Sequence, residues 1–181
     1  MLALSGPSGN YVPAWDLGRP SPVVLRLLPF VHHPPAKVLV TTCGAAHEAR
    51  ALDARGYTVT CTDLPGRVVP AGVAFVEADF VASDFAGAFD LVCEHGGFSL
   101  VPPSERGRWV SAAHRALRPG GKLFGAFLTG DDGDRPVAPW GIRPSELLAL
   151  VSDRFEVERV EKSPFTHPLG APQLEVVLTR R

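Results

Sequence analysis

The sequence predicts an α/β fold: a Rossmann-like sheet of seven strands, mostly parallel, with helices on both faces and a terminal antiparallel hairpin. Three observations carry this expectation. Seven short runs of apolar and β-branched residues recur along the chain, as buried strands do. Stretches with apolar residues at helical spacing separate several of them. The last two runs follow each other with no helix between, which makes a hairpin rather than a crossover.

Residues 1–20 are polar and rich in Gly and Pro, with Tyr11 and Trp15 among them, and read as an arm. Pro22 opens a short helix, "VVLRLL" (23–28), because a first turn tolerates proline, and Pro34-Pro35 ends it. "KVLVTT" (37–42) is the first strand. Residues 45–55 place Ala46, Ala49 and Leu52 at helical spacing, with Gly56 as the stop. "YTVTCT" (57–62), "VAFVEA" (73–78) and "FDLVCE" (89–94) are the next three strands. Pro103-Ser104-Glu105 opens a helix whose Trp109, Ala112, Ala113, Ala116 and Leu117 share one face. "RPGGK" (118–122) reads as a hard stop before the fifth strand, "KLFGAFLT". Pro144-Ser145-Glu146 starts a last helix, and "FEVERVE" (155–161) and "LEVVLTR" (174–180) form the hairpin, joined by a loop over 163–173. The chain thus divides into an arm or lid over residues 1–30 and one domain over 31–181.

Bulk properties narrow the function. A chain of 181 residues holds one domain with a sizeable core. Its net charge of −1 gives no footing for nucleic acid or an anionic membrane. No apolar run is long enough to span a bilayer, and the first residues lack the pattern of a signal peptide. Three widely spaced cysteines, none in a Cys-x-x-Cys pair, argue against a disulfide framework or a metal site. The expectation is a cytoplasmic enzyme or binding domain acting on a small molecule, as a monomer or dimer.

Ligands of such sheets bind beyond the carboxyl ends of the strands, where strand order reverses. That rule selects Thr41, Thr42, Cys43 and Gly44 after the first strand, Asp63 and Leu64 after the second, Asp79 and Phe80 after the third, and Glu94 and His95 after the fourth. Asp63 lies 19 residues beyond Gly44, the place from which a carboxylate holds ribose hydroxyls. Asp79 can accept from an exocyclic amine with Phe80 flanking the base, or simply cap a turn. The corner keeps one glycine. A pyrophosphate needs close backbone approach and hence more glycines, so the corner argues against a dinucleotide. S-adenosylmethionine (SAM) carries no phosphate and is compatible with it.

The arm "WDLGRPSP" (15–22), the corner "VTTCGAAHEARAL" (40–52), "YTVTCTDL" (57–64), "EADF" (77–80), "FDLVCEHGGFSLVPPSERGRWV" (89–110) and "LRPGGKLFGAFL" (117–128) together resemble the thiopurine S-methyltransferase-like family. That family includes bacterial thiol, halide and metalloid methyltransferases. The resemblance implies SAM as cofactor, with Trp15 closing over its methionine end, Asp63 on ribose and Asp79-Phe80 on adenine. It also implies that the segment from Glu94 to Phe98 borders cofactor and acceptor. Two departures stand out. The family corner reads close to Pro-Gly-Cys-Gly-x-Gly, against Thr41-Thr42-Cys43-Gly44-Ala45-Ala46 here. The family often has bulky residues at Gly96-Gly97, so a roomier acceptor pocket is expected.

Methyl transfer to a thiolate turns two charged groups into two neutral ones, so a dry, aligned pocket does most of the work. His95 is the candidate base or acceptor-orienting group, and Tyr11, Phe98 and Trp140 the further acceptor contacts. His95 can equally hydrogen-bond a loop carbonyl. His47 reads as a solvated first-turn histidine, and "DDGD" (131–134) as part of a loop over the acceptor pocket. The expected function is SAM-dependent methylation of a small organic or secondary-metabolite thiol. Its rivals are a protein of the same fold that no longer methylates (a natural-product cyclase, isomerase or binding protein) and an O- or N-methyltransferase.

Overall fold

The computed structural model describes residues 15–64, 69–130 and 137–181, with the backbone of Leu4–Ser5 and Tyr11–Val12. The main sheet has seven strands: β1 Lys37–Val40, β2 Thr58–Asp63, β3 Ala74–Glu77, β4 Phe89–His95, β5 Leu117–Leu128, β6 Phe155–Thr166 and β7 Pro172–Arg180. Their spatial order is β3-β2-β1-β4-β5-β7-β6. β1 pairs in parallel with both β2 and β4, and β7 is antiparallel to both neighbours. The expected fold class is borne out. Strand order reverses between β1 and β4, so their carboxyl ends mark the binding crevice.

The helices are α1 Pro22–Leu27, α2 His47–Asp53, α3 Arg106–Ala116 and α4 Pro144–Val151. Strand residues alternate between two apolar layers, as the pleat requires. Val38, Val40, Leu91, Cys93 and Phe124 join Val23, Leu27, Ala49 and Leu52 of α1 and α2 on one face. Leu39, Val92, Leu123 and Phe127 join Trp109, Ala113, Leu147 and Val151 of α3 and α4 on the other. In the second layer Trp109 packs against Phe80, Phe98 and Phe127 with ring centroids 5.3, 5.1 and 6.1 Å away. Burying Phe98 or Phe127 there contributes about 1.5–3 kcal/mol each.

Three differences from expectation bear on the layout. "RPGG" is not a gap ahead of β5 but a bulge within it: Phe89 pairs with Leu117, while Leu91 pairs with Lys122. Gly121 is needed there, since a Cβ would sit 2.9 Å from the Asp90 carbonyl oxygen. The 163–173 loop is largely strand, because β6 runs to Thr166 and β7 starts at Pro172. α2 begins only at His47, because Ala46 before it is left-handed, with φ 60° and ψ 28°.

Candidate functional site

A cavity of about 330 Å³ opens at the carboxyl ends of β1 and β4. Its floor is the corner after β1, from Thr42 to Ala45, with His47 and Glu48 of α2. One wall is His95, Gly96, Gly97 and Ser99 after β4; the arm supplies Trp15, Asp16, Leu17 and Arg19; the hairpin turn supplies His167 and Leu169.

Backbone bonds set the corner. Gly44 turns at φ 50° and its N–H donates to Asp63 Oδ2 at 2.9 Å, while the Leu64 N–H donates to Oδ1 at 2.7 Å. Cys43 N–H donates to the Thr62 carbonyl at 3.1 Å. Asp63 therefore ties the end of β2 to the turn after β1. A Cβ added to Gly44 would lie 3.5 Å from the Trp15 ring, so the indole packs directly on this glycine. The arm is also held by polar contacts. Asp16 Oδ1 accepts from the Gly18 N–H at 2.7 Å and pairs with His47 Nε2 at 2.9 Å. His47 is thus half-buried and engaged with the arm, not a solvated first-turn residue, because the arm lies across the start of α2.

The two threonines of the corner have different fates. Thr41 turns into the core, where its hydroxyl donates to Glu94 Oε2 at 2.6 Å. Glu94 is fully buried, and its Oε1 accepts from the Phe98 N–H at 2.7 Å. Burial pushes the Glu94 carboxyl above its ordinary pKa, against the pull of the Thr41 and Phe98 hydrogen bonds. Its side chain braces the turn after β4 and does not line the cavity. Thr42 faces Gly97 so closely that a Cβ on Gly97 would lie 2.8 Å from the Thr42 Cβ. The roomier pocket expected from Gly96-Gly97 is therefore half corrected. Thr42 occupies the space beside Gly97, whereas Gly96, at φ 88° with nothing among the described residues within 4 Å of its missing Cβ, leaves open space in the cavity wall.

His95 carries the clearest chemistry. Its Nδ1 lies 3.1 Å from Glu48 Oε1, which also accepts from the Ser21 N–H at 2.9 Å. His95 Nε2 is buried and has no hydrogen-bond partner among the described residues. Burial opposes charge on both groups, but the bond between them and their mutual attraction outweigh it. The Glu48 carboxyl therefore lies below its usual pKa and the His95 imidazole above. His167 faces His95 with ring centroids 6.4 Å apart. Its Nδ1 accepts from the Leu169 N–H at 3.2 Å, and burial with the nearby His95 charge lowers its pKa to about 4, so it stays neutral.

Other expected residues stand apart from the cavity. Asp79 is exposed and accepts from the Val81 N–H at 2.9 Å, capping a short 3-10 turn. Phe80 is buried against Trp109, and Leu64 is 62% exposed beyond the end of β2. Phe98 is locked in the aromatic layer, only 2% exposed. Trp140 donates its backbone N–H to the Ser99 carbonyl at 2.8 Å, and its neighbour Pro139 touches the cavity in its place. The Tyr11 side chain and "DDGD" lie outside the described residues. The three cysteines are buried free thiols, and a contact between Cys43 and Cys61 suppresses ionisation of the latter. Among the described residues no cluster of His, Cys, Asp and Glu could hold a metal, and no helix is long and apolar enough to cross a membrane.

Sequence reasoning missed Glu48 and His167. Glu48 had a weak signal, an acidic residue in the first turn of the helix after the corner. His167 had none, since a hairpin turn brings it to the cavity from the far end of the chain.

Residues 39–125 match the methyltransferase domain family. The chain is 27% identical over 122 residues to "Probable thiol methyltransferase 2" of Arabidopsis thaliana, covering 61% of this chain and 54% of that protein, so it spans about half of that relative's length. It is 24% identical over 166 residues to "Thiocyanate methyltransferase 1" of Brassica oleracea, covering 84% of this chain and 73% of that protein. In fold it is similar to the 1,6-didemethyltoxoflavin-N1-methyltransferase of Burkholderia thailandensis, solved with 1,6-didemethyltoxoflavin and S-adenosylhomocysteine, with TM-score 0.73, 21% identity, and 88% of this chain and 76% of that one covered. The domain match takes in a little under half of this chain and agrees with the methyltransferase resemblance read from its sequence.

Proposed function

We propose that this chain methylates the sulfur of a small organic thiol held between the arm, the Gly96-Gly97 turn and the hairpin turn. The observation that carries the reading is one cavity at the strand switch point with Glu48-His95 in its wall. The thiol and thiocyanate methyltransferase names of the two plant relatives and the resemblance to the thiopurine S-methyltransferase-like family support sulfur as the acceptor atom.

The residues present fit the cofactor. Gly44 offers a face that, among the described residues, has only the Trp15 ring above it, so the arm can serve as a lid. Asp63, whose oxygens accept from the Gly44 and Leu64 N–H groups, stands at the strand end from which a carboxylate would hold ribose hydroxyls. Asp79 and Leu64, exposed beyond the ends of β3 and β2 and outside the cavity, are where the adenine would have to reach, whereas Phe80 is held in the core by Trp109. Neither threonine closes the corner, because Thr41 is turned into the core and Thr42 is taken up by Gly97. When bound, SAM supplies an electrophilic methyl whose bond to the sulfonium breaks as the acceptor sulfur's electron pair forms the new one, leaving neutral S-adenosylhomocysteine. The chain's own part is to align the acceptor, exclude water and manage the acceptor's proton.

Calorimetry tests the base of this reading. SAM binds the wild type at micromolar to sub-millimolar concentration, and Asp63→Ala weakens it at least about tenfold, the loss of hydrogen bonds to a charged group. Absence of SAM binding at millimolar concentration overturns it. Turnover of alcohols or amines in preference to thiols overturns the choice of sulfur.

A further inference from the structure

The cavity wall contains a device that methylation of an already ionised acceptor would not need. Glu48 on α2 fixes His95 at the end of β4 through Nδ1, at 3.1 Å, and is itself fixed by the Ser21 N–H ahead of α1. A carboxylate on Nδ1 selects the tautomer whose proton sits there and leaves a lone pair on Nε2. That Nε2 is buried without a partner among the described residues, a costly state unless a ligand completes it. The groups that face His95 are Glu48 from α2, Glu94 from its own strand and neutral His167 from the hairpin turn. The balance of charge stabilises an imidazolium.

We propose that Glu48 is a positioning residue that makes His95 a general base, and that the acceptor therefore arrives as a neutral, protonated thiol with an apolar body. This rests on the methyl-transfer reading. The acceptor S–H bond breaks, the proton goes to His95 Nε2, and the electron pair stays on sulfur as the nucleophile. The proton leaves to solvent when the product departs. A thiol with a free pKa near ~8.5 gains from such a base. The cavity rim suits an apolar body, since Trp15, Leu100 and Leu169 are 43%, 58% and 47% exposed around it. Thiocyanate, ionised at any ordinary pH, gains nothing from a base and meets the Glu48 carboxylate.

Two measurements on the full chain test this. The first is side-chain nitrogen NMR of His95 in the protein without cofactor. The wild type shows the Nδ1–H tautomer and a pKa above the ordinary histidine value. Glu48→Gln, whose amide oxygen still accepts from Ser21, moves that pKa down by at least about one unit, as loss of a neighbouring charge should. An unchanged pKa and tautomer overturn the pairing. The second is turnover of phenylmethanethiol and of thiocyanate against pH. For the thiol, kcat rises with pH through the His95 pKa, because the imidazole must first lose its own proton. Glu48→Gln shifts that limb to lower pH and lowers kcat about 10- to 100-fold with little change in KM, a part of the roughly 10²–10⁴-fold that a positioned general base contributes. His95→Gln removes the limb. Faster turnover of thiocyanate than of the thiol, or a thiol limb that Glu48→Gln leaves in place, overturns the proposal. SAM calorimetry on the same proteins separates the failures: bound SAM with an unshifted His95 sinks the base alone, and no SAM binding sinks the methyl-transfer reading.

Discussion

The corner after β1 carries Thr42 where its expected pattern has glycine, and the turn after β4, across the cavity, carries two glycines where bulk is expected. Each half read alone misleads. The corner alone looks blocked, and the turn alone looks roomy. Together they conserve volume: Thr42 fills what Gly97 leaves, and Thr41 is drawn into the core by Glu94. Glu94 is the brace common to both regions, since one oxygen serves the corner and the other serves the turn. Space in this site is thus a property of the pair, not of either segment.

The strongest way to break the comparison is to remove the brace. Glu94→Ala leaves the Phe98 N–H and the Thr41 hydroxyl without their carboxylate, and each buried unpaired group costs about 1–3 kcal/mol. Urea unfolding should show a loss of about 3 kcal/mol, and a loss below about 1 kcal/mol would mean the two regions are held independently. Next comes Gly97→Ala. The backbone there, at φ −63° and ψ −41°, accepts any residue, so a loss can only be steric. Overpacking of this kind costs about 1–3 kcal/mol. Adding Thr42→Gly should return most of it, a coupling above about 1 kcal/mol, whereas strictly additive losses would deny that the two residues share one space. The smallest effect sharpens the corner alone. Ala46 holds a left-handed conformation that strains a non-glycine residue by about 1–2 kcal/mol. Ala46→Gly relieves this but gives up a buried methyl and frees the unfolded chain, so the net gain stays under about 1 kcal/mol. A thermal melt that falls rather than rises would show that the methyl contributes more than the strain removes.

Most of the fold was legible because its signals are local. Alternating apolar residues such as Val38, Leu39 and Val40 feed two layers, and Pro22 and Pro144 start helices where such residues can. "RPGGK" misled because glycine and proline usually break a ladder, while here the ladder simply bulges around them. The candidate site was legible at strand ends, where topology alone assigns position, hence Thr42, Gly44 and His95 in the cavity wall. Phe80 and Phe98 were not separable from site residues by sequence, since an aromatic after a strand can face a ligand or the core, and here Trp109 claims both. Glu48 and His167 reach His95 from a helix and a hairpin turn, and only tertiary contacts bring them there.

The fit of Thr42 against Gly97 also constrains the order in which such a site can change over generations. A threonine at 42 acquired while 97 still carried a side chain would pass through a collision of carbon atoms. A glycine at 97 acquired first, beside a small residue at 42, passes only through a void that water or a ligand can fill. The second path stays open to a marginally stable protein, and the first does not. Once both changes are in place the way back is barred in the same direction, so a lineage that has entered this arrangement can restore bulk at 97 only after surrendering the threonine.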